Sequence, residues 1–400
     1  MQQQEQEFLP EKKSLSEKTF SECHGAGEKI KWLLNFVFID GMSGMALGLF
    51  ATLIAGTILW QLGNLIDKGG NNPVGLALEL VGRLAQICMG AGIGVGVCLK
   101  LKRTQPLVVV SAAAAGLVGS YSQLIISSMV TALENNTAWT LSLSSAGDPM
   151  GAFIGSITAM ALASLVSGKT KIDILVTPLT GLLGGSIAGI GIGYPVSLAL
   201  AQLGVFISWA ASLSTVSAAV TGLIVAVVMG IALTLPISSA AIGISIGLNG
   251  IAAGAAVVGC CCQMMGFAAM SFRENKWGGA VAQGLGTSML QIPNIFRKPV
   301  LFLPPIISSA VLGTISTLLP NGVSLGLFAT RVGSGMGTAG LVGVIDMLFE
   351  MIGTQGCNPY LTVLWVILFC LVLPALLTLA IGELFRKCKL IRYGDLTLQL

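Results

Sequence analysis

The chain has 400 residues, of which 54% are hydrophobic and 10% are charged, and this composition excludes a soluble globular domain. The formal net charge is +4, but the basic residues form short clusters beside apolar runs, a distribution that follows the positive-inside rule and does not indicate nucleic-acid binding. The sequence therefore predicts an all-α polytopic membrane protein surrounded by membrane lipid.

The distribution of charge divides the chain into three regions. Residues 1–30 are hydrophilic and are predicted to form a flexible cytoplasmic tail, residues 31–385 the transmembrane domain, and residues 386–400 a cytoplasmic C-terminal tail. His24, the only histidine, lies in the first region, which excludes a histidine-based metal site or proton relay within the membrane. We expect no metal and no cofactor. Cys260, Cys261 and Cys262 lie in an apolar segment, where cysteine serves as a small hydrophobic residue.

Apolar runs of about 20 residues, the length that a helix needs to cross a ~30 Å hydrocarbon core, predict about ten transmembrane helices. The predicted spans are residues 44–66, 73–99, 106–130, 148–168, 173–192, 196–213, 214–235, 251–272, 299–319 and 360–384. With a cytoplasmic N-terminus, this count places the Lys and Arg clusters on one side of the membrane. It therefore predicts that both termini are cytoplasmic.

Three segments carry polar or helix-breaking residues in otherwise apolar surroundings: residues 236–250, 278–299 and 326–350. An unpaired backbone N–H or C=O costs several kcal/mol in hydrocarbon, so irregular chain at membrane depth needs protein or a water-filled cavity around it. We predict two or three re-entrant or broken segments at a permeation site. The alternatives are a close-packed helix pair for the first segment and an extracellular hairpin without a ligand for the third.

These segments predict a central polar cavity that binds a solute. Serine and asparagine side chains both donate and accept hydrogen bonds, which suits a hydroxyl-rich ligand. The predicted substrate-binding residues are Ser238, Ser239, Asn249, Asn294, Ser334 and Thr338. The sequence has no P-loop, kinase signature or Ser/His/Asp set, so it predicts no catalytic residue of its own.

Ionisable residues near membrane depth are further candidates. Glu79 and Arg83 are four residues apart on one predicted helix face and are expected to pair, either structurally or around a substrate. Arg331 is costly near membrane depth unless it is paired or hydrated, and the nearest partners in sequence are Asp346 and Glu350. The predicted charge contacts are Glu79, Arg83, Arg297, Lys298 and Arg331, with Arg297 and Lys298 facing the cytoplasm.

Four motifs, taken in order, resemble the second enzyme IIC family of the bacterial phosphotransferase system, of the toxin-regulator type. They are Pro236-Ile-Ser-Ser, Gly247-Leu-Asn-Gly-Ile-Ala-Ala-Gly-Ala-Ala, Pro293-Asn294 with Arg297-Lys298-Pro299, and Gly333-Ser-Gly-Met-Gly-Thr-Ala-Gly-Leu-Val-Gly. The resemblance runs from about residue 36 to residue 384. It implies a permease subunit in a bacterial plasma membrane that binds a sugar-like solute, forms a homodimer and presents the solute to a phosphorylated IIB partner supplied by a IIA protein.

The 400 residues contain no soluble stretch of about 100 residues that could form a IIA or IIB domain. Three functions therefore stay open. The first is a phosphotransferase-type permease for a sugar or similar small polar solute. The second is an ion-coupled secondary transporter of a small organic anion, with Arg331, Arg297 or Lys298 as anion contacts. The third is a solute-sensing membrane regulator of gene expression.

Overall fold

The structure is a computed structural model. It describes residues 26–67, 72–140, 143, 147–196, 198–199, 202, 218–235, 239, 242–243, 248–320, 325–331 and 333–398. Within these ranges the chain is helical except for turns, short loops and two isolated antiparallel bridges, and this confirms the predicted all-α polytopic fold.

The helices follow one another along the chain with short connections. In chain order they are α1 Gly27–Asn64, α2 Pro73–Ile87, α3 Met89–Lys100, α4 Pro106–Ser120, α5 Ser122–Asn135, α6 Pro149–Val166, α7 Asp173–Val196, α8 Ala218–Thr234, α9 Gly250–Met270, α10 Phe272–Val281, α11 Ile292–Arg297, α12 Pro299–Ser316, α13 Val342–Phe349 and α14 Pro359–Lys387.

Six of the described helices (α1, α6, α7, α9, α12 and α14) are long and apolar enough to cross a membrane. Two bent pairs raise the number to eight if each pair is one span, because α2 and α3 meet at 54° and α4 and α5 at 56°. The predicted count of ten is therefore approximate. The predicted span 214–235 corresponds to the shorter apolar helix α8, and most of the predicted span 196–213 lies outside the described residues.

Three helices begin with the same local signal, an Asn or Asp followed by Pro. The side chains of Asn72, Asp148 and Asn358 each accept hydrogen bonds from backbone N–H groups two or three residues further on. The proline that follows has no N–H to leave unpaired and its fixed φ suits the first helical turn. These caps determine where α2, α6 and α14 start.

Two hydrophobic clusters divide the helices into two bundles. The first cluster is formed mainly by α1, α3, α4 and α6, with Met45, Ile93 and Phe153 in its core. The second is formed mainly by α8, α9, α12, α13 and α14. Helix α1 belongs to both, because Leu49 packs in the first cluster and Ile54 in the second. The boundary between the bundles therefore runs along α1.

Helices α1 and α3 approach each other so closely that glycine is required at their contact. A Cβ atom placed on Gly48 would lie 2.3 Å from the backbone oxygen of Gly92. We expect Gly48→Ala to lower the melting temperature in detergent, because forcing two packed backbones apart costs about 1 to 3 kcal/mol. Gly191→Ala is the matched control, since nothing lies within 4 Å of its added methyl group. Equal melting temperatures for the two variants would contradict this contact.

The C-terminal residues pack onto the second bundle. Helix α14 continues to Lys387, two residues beyond the predicted end of the transmembrane domain, and in the segment that follows Ile391 is 2% and Leu396 0% exposed. Both side chains lie in a small cluster with Phe267 of α9 and Ile295 of α11. The last described residues are therefore part of the folded core.

Candidate solute-binding site

Two irregular segments meet at the N-terminal end of α9. The backbone groups of Gly250 and Ala329 exchange two hydrogen bonds, at 3.1 and 3.3 Å. The Asn249 side-chain oxygen accepts from the backbone N–H of Arg331 at 3.1 Å, and the Ser239 hydroxyl donates to the carbonyl of Gly335 at 2.6 Å. These hydrogen bonds join the chain before α9 to the glycine-rich segment, and we call this contact the loop junction.

The glycine-rich segment, residues 333–343, lies directly on α9. The backbone of Gly337 has φ +53, and a Cβ atom there would lie 2.7 Å from the Cβ of Cys260. The Cys260 thiol points to the carbonyls of Ser334 and Met229, at 3.8 and 3.6 Å. Cys260 is therefore a buried packing residue between α8 and this segment.

The predicted residues Ser334 and Thr338 are both fully buried in the glycine-rich segment. The Ser334 hydroxyl donates to the carbonyl of Arg331 at 3.0 Å, and the Thr338 hydroxyl donates to the carbonyl of Gly284. Both hydroxyl groups thus use their protons in hydrogen bonds that stabilise the backbone of this segment. Each oxygen keeps a lone pair that can accept a hydrogen bond from a ligand once the segment moves.

Asp346 of α13 binds the chain just before the glycine-rich segment. It accepts from the backbone N–H of Thr330 at 2.8 Å and from the Thr330 hydroxyl at 2.6 Å. Among the described residues it makes no ion pair with Arg331, and Glu350 accepts from Gln355 instead, at 2.9 Å. Of the two alternatives for Arg331, pairing with these carboxylates is therefore wrong, and the residue is exposed.

A buried polar cluster lies further along α9, between α8, α9 and the turn Ser288–Gln291. The hydroxyls of Thr234 and Ser288 are 2.9 Å apart, and Thr234 donates to the side-chain oxygen of Gln263 at 3.3 Å. All three side chains are fully buried, and the Gln263 Nε2 group has no hydrogen-bond partner among the described residues. An unsatisfied buried donor costs about 1 to 3 kcal/mol, so this group lacks an acceptor that a ligand or water can supply.

The unpaired amide belongs to the same stretch of α9 as the glycine-rich contact. Cys260 touches Ser334, Gln263 is three residues later, and Met264 contacts the Thr338 hydroxyl at 3.4 Å. Sequence reasoning missed Gln263, although it is the only amide side chain in the 21 residues of α9. A single amide side chain in an otherwise apolar helix is a sequence signal that could have identified Gln263 as a candidate.

Asn294 lies in a different network from the one that the sequence suggests. Its amide donates to the side-chain oxygen of Gln291 at 2.8 Å and to the Thr397 carbonyl at 3.0 Å. Gln291 in turn donates to Gln283 at 2.8 Å and to the Leu396 carbonyl at 3.0 Å. We call these three side chains the amide chain. Gln283 precedes Gly284, the partner of Thr338, so the amide chain and the glycine-rich segment meet there.

The predicted charge contacts are spread over the molecule. No ion pair joins Glu79 to Arg83 in the described part of the chain, so the expected pairing is wrong, and the Arg83 guanidinium lies 6.0 Å from the centre of the Trp60 ring. Arg297 is exposed at the end of α11. Lys298 pairs with Asp395 at 2.6 Å. Of the predicted charge contacts, the structure brings Arg331 alone to the loop junction, through its backbone N–H, and the predicted residue Ser238 lies outside the described residues.

The Lys298–Asp395 pair fastens the C-terminal segment. Burial raises the pKa of the Asp395 carboxyl, but hydrogen bonds and positive charge from Lys298 and Arg392 lower it more, so its net pKa is below the ordinary value of 3.8. A carboxyl whose folded-state pKa is depressed stabilises the fold above its unfolded pKa. This contribution is lost as the pH falls through the folded value.

We therefore expect the C-terminal segment to loosen in acid below about pH 4. A nitroxide on the exposed Cys388 thiol, in a chain whose other exposed cysteines are replaced, reports this as a rise in mobility. In Asp395→Asn the mobility should already be raised at neutral pH and should change little with acid. The effect is small, about 0.2 to 1 kcal/mol, because both side chains are partly exposed. An acid step that persists in Asp395→Asn would assign it to another carboxyl.

The glycine-rich segment and Gly286 lie at the boundary between the two bundles. A Cβ atom on Gly340 would lie 3.2 Å from the Ile58 side chain of α1, and one on Gly286 would lie 2.3 Å from the Phe50 ring of the same helix. Irregular backbone, buried hydroxyls and an unpaired amide thus gather where two helical bundles touch. Such boundaries are common positions for small-molecule sites and for the moving parts of transporters.

The family model described as "Phosphotransferase system, EIIC" matches residues 39–398, which include both bundles, the loop junction and the amide chain. A search of curated proteins finds no match. The chain is a multi-pass membrane protein of the phosphotransferase system EIIC family, the membrane permease component of such a system.

Proposed function

We propose that this permease binds a sugar or similar polar solute between the loop junction and the Thr234–Gln263–Ser288 cluster. The observation that carries the proposal is the buried Gln263 amide, whose Nε2 group is unpaired beside two hydroxyls. A sugar hydroxyl accepts from such a donor and donates to a hydroxyl oxygen. Ser239, Ser334 and Thr338 supply further polar groups. Ser238 and Asn249 stay predicted contacts, and Asn249 lies at the start of α9, about 20 Å from Gln263.

Solute entry requires the glycine-rich segment to move. In the present conformation the hydroxyls of Ser239, Ser334 and Thr338 donate to backbone carbonyls, and Gly337 packs on Cys260, so the segment is closed on α9. Movement of the segment away from α9 would free the hydroxyls of Ser239 and Thr338 for the solute. The same movement exposes the site to one side of the membrane, as alternating access requires.

The proposed partners are soluble IIA and IIB proteins, with IIB phosphorylating the solute at the cytoplasmic face. Arg297 is the proposed contact for the phosphorylated partner, because it is exposed and cationic. Asn294 supports this face through the amide chain and does not contact solute in the closed form. The homodimer, the bacterial plasma membrane and the toxin-regulator type stay predictions from the family resemblance.

The test is binding and uptake with the purified protein in liposomes, using a panel of radiolabelled sugars and small organic acids. Saturable sugar binding without accumulation, followed by release of a sugar phosphate when IIA, IIB and a phosphoryl donor are added, would support the proposal. Accumulation driven by a sodium or proton gradient would instead support an ion-coupled transporter. No binding of any solute would favour the regulator.

The proposed orientation places both termini in the cytoplasm. We expect a membrane-impermeant maleimide to label Cys388, which is exposed after α14, only after the cell membrane has been permeabilised. The variant for this measurement retains Cys388 and replaces the other cysteines that are outside the core. Labelling of Cys388 in intact cells would place the C-terminus on the outer side and reverse the assignment.

A further inference from the structure

An apolar groove of about 630 Å³ runs along the outside of α9, α10 and α14. Its walls include Met265, Phe272, Trp277, Val281, Leu371 and Leu379. The Trp277 side chain is 75% and Val281 52% exposed, so no described part of the chain covers this surface. The only charged residues in its lining are Arg273 and Glu383.

These two charged residues connect the groove to a second, basic pocket of about 260 Å³. That pocket is lined by Arg386, Lys389, Ile391, Arg392 and Tyr393. Arg273 donates to the Tyr393 hydroxyl, and Glu383 accepts from Arg386 at 2.7 Å. The Arg386 guanidinium also lies 4.7 Å from the centre of the Tyr393 ring. The groove and the basic pocket are therefore two parts of one surface.

The charges of this surface do not balance. The four cations Arg273, Arg386, Lys389 and Arg392 face two nearby carboxylates, those of Glu274 and Glu383. Asp395 lies near Arg392 but pairs with a fifth cation, Lys298, so including both leaves the surplus unchanged. Among the described residues the surface thus carries a net surplus of two positive charges at the end of an apolar groove.

Arg386 also carries an unused hydrogen-bond donor. Its side chain is only 6% exposed, and its two terminal nitrogens bind Glu383, Glu274 and the carbonyl of Met270. The Nε group is buried and has no partner in the part of the chain that the structure describes. A buried guanidinium N–H is costly to leave unpaired, so this donor requires an acceptor such as a phosphate oxygen.

The surface lies at the level of the membrane interface. Two spans, α9 and α14, end at Met270 and Lys387 beside it, and the basic residues follow directly. Trp277 is exposed and packs edge-on against Phe272 at 5.1 Å, and tryptophan is enriched at the boundary between hydrocarbon and water. The groove therefore borders the acyl chains while the basic pocket lies at headgroup level.

We propose that this surface is a binding site for an anionic phospholipid, with an acyl chain in the apolar groove and the phosphate headgroup in the basic pocket. An amphiphile with one anionic end matches both parts, whereas an apolar protein surface would leave the surplus charge unmatched. The bound lipid would join α10 to the C-terminal segment after α14. The inference does not depend on which solute the permease carries.

The test uses Trp277 fluorescence in nanodiscs that contain brominated phosphatidylglycerol or brominated phosphatidylcholine at equal mole fraction. The Trp277 signal is the difference between the wild-type chain and Trp277→Phe. We expect the anionic lipid to be preferred by about tenfold or more. The double variant Lys389→Gln, Arg392→Gln should abolish the preference, and the control Lys169→Gln, Lys171→Gln, exposed charges after another span, should retain it.

A second measurement distinguishes loss of lipid binding in the double variant from a folding defect. Native mass spectrometry of chains that elute as a single symmetrical species should find phosphatidylglycerol on the wild type and the control but not on the double variant. Equal quenching by the two lipids would overturn the proposal. So would absence of Trp277 quenching by either lipid, which would indicate a second protein copy on the groove. Loss of the preference in millimolar inorganic phosphate would assign the pocket to a free anion.

Discussion

Gln263→Leu is expected to weaken solute binding about tenfold while leaving the melting temperature unchanged or higher. The variant removes a donor that is buried without a partner, and filling the same volume with an apolar side chain can stabilise such a site. Thr234 loses one acceptor but keeps its contacts with Ser288 and the Gly230 carbonyl. A lost ligand hydrogen bond of about 1.4 kcal/mol corresponds to the tenfold change in affinity.

The matched control is Gln283→Leu, a glutamine in the same bundle whose amide is fully engaged. Its side chain binds Ser271, the Gly279 carbonyl and Gln291. This change leaves buried partners unpaired and should lower the melting temperature. Binding of the panel solute in detergent and thermal unfolding followed by fluorescence provide both readouts. If both variants are destabilised and bind equally well, Gln263 is a structural residue and the proposed site is wrong.

Gly337→Ala is expected to lower the stability of the closed form by about 2 to 4 kcal/mol and to reduce solute uptake at least tenfold. Two costs add at this position. The backbone has φ +53, which an L-residue adopts at a cost of about 1 to 2 kcal/mol. The added methyl group would also meet the Cβ and backbone of Cys260 at 2.7 and 2.9 Å, which overpacks the contact between the glycine-rich segment and α9.

Gly356→Ala separates these two costs. Gly356 has φ +65, so it shares the backbone penalty, but nothing lies within 4 Å of its added methyl group. We expect a smaller fall in melting temperature and normal uptake. Accessibility of Cys260 to a small membrane-permeant thiol reagent gives an independent readout, since it should rise in Gly337→Ala alone. Equal effects of the two changes on uptake would show that closure on α9 is unimportant for transport.

Helix content and the position of most spans could be predicted from the sequence, because hydropathy is a local property of the chain. The exact number of spans could not, since α2 and α3 form one apolar run with a 54° bend between them. Helix α8 is short, and composition alone does not say whether a helix of 17 residues crosses. The irregular segments could be recognised because helix-breaking and polar residues cost free energy in hydrocarbon at any position in the chain.

The pairing of polar groups could be predicted only where sequence neighbours decide it. Asn294 finds its acceptors near the C-terminus, at Thr397, about 100 residues further along the chain. Glu79 and Arg83 have helical spacing, yet Arg83 lies near the Trp60 ring, a contact that depends on how α1 packs against α2. The spacing of two charges shows that they can meet. It does not show which partner is nearer once the helices have packed.

The amide chain ends on carbonyls supplied by Leu396 and Thr397, residues that the ribosome makes after every span. A chain cut short before these residues would leave Gln291 and Asn294 with one acceptor each, Gln283 and Gln291, and with one amide N–H of each unpaired in the core. The amide chain can therefore be completed only after all the described spans have been synthesised.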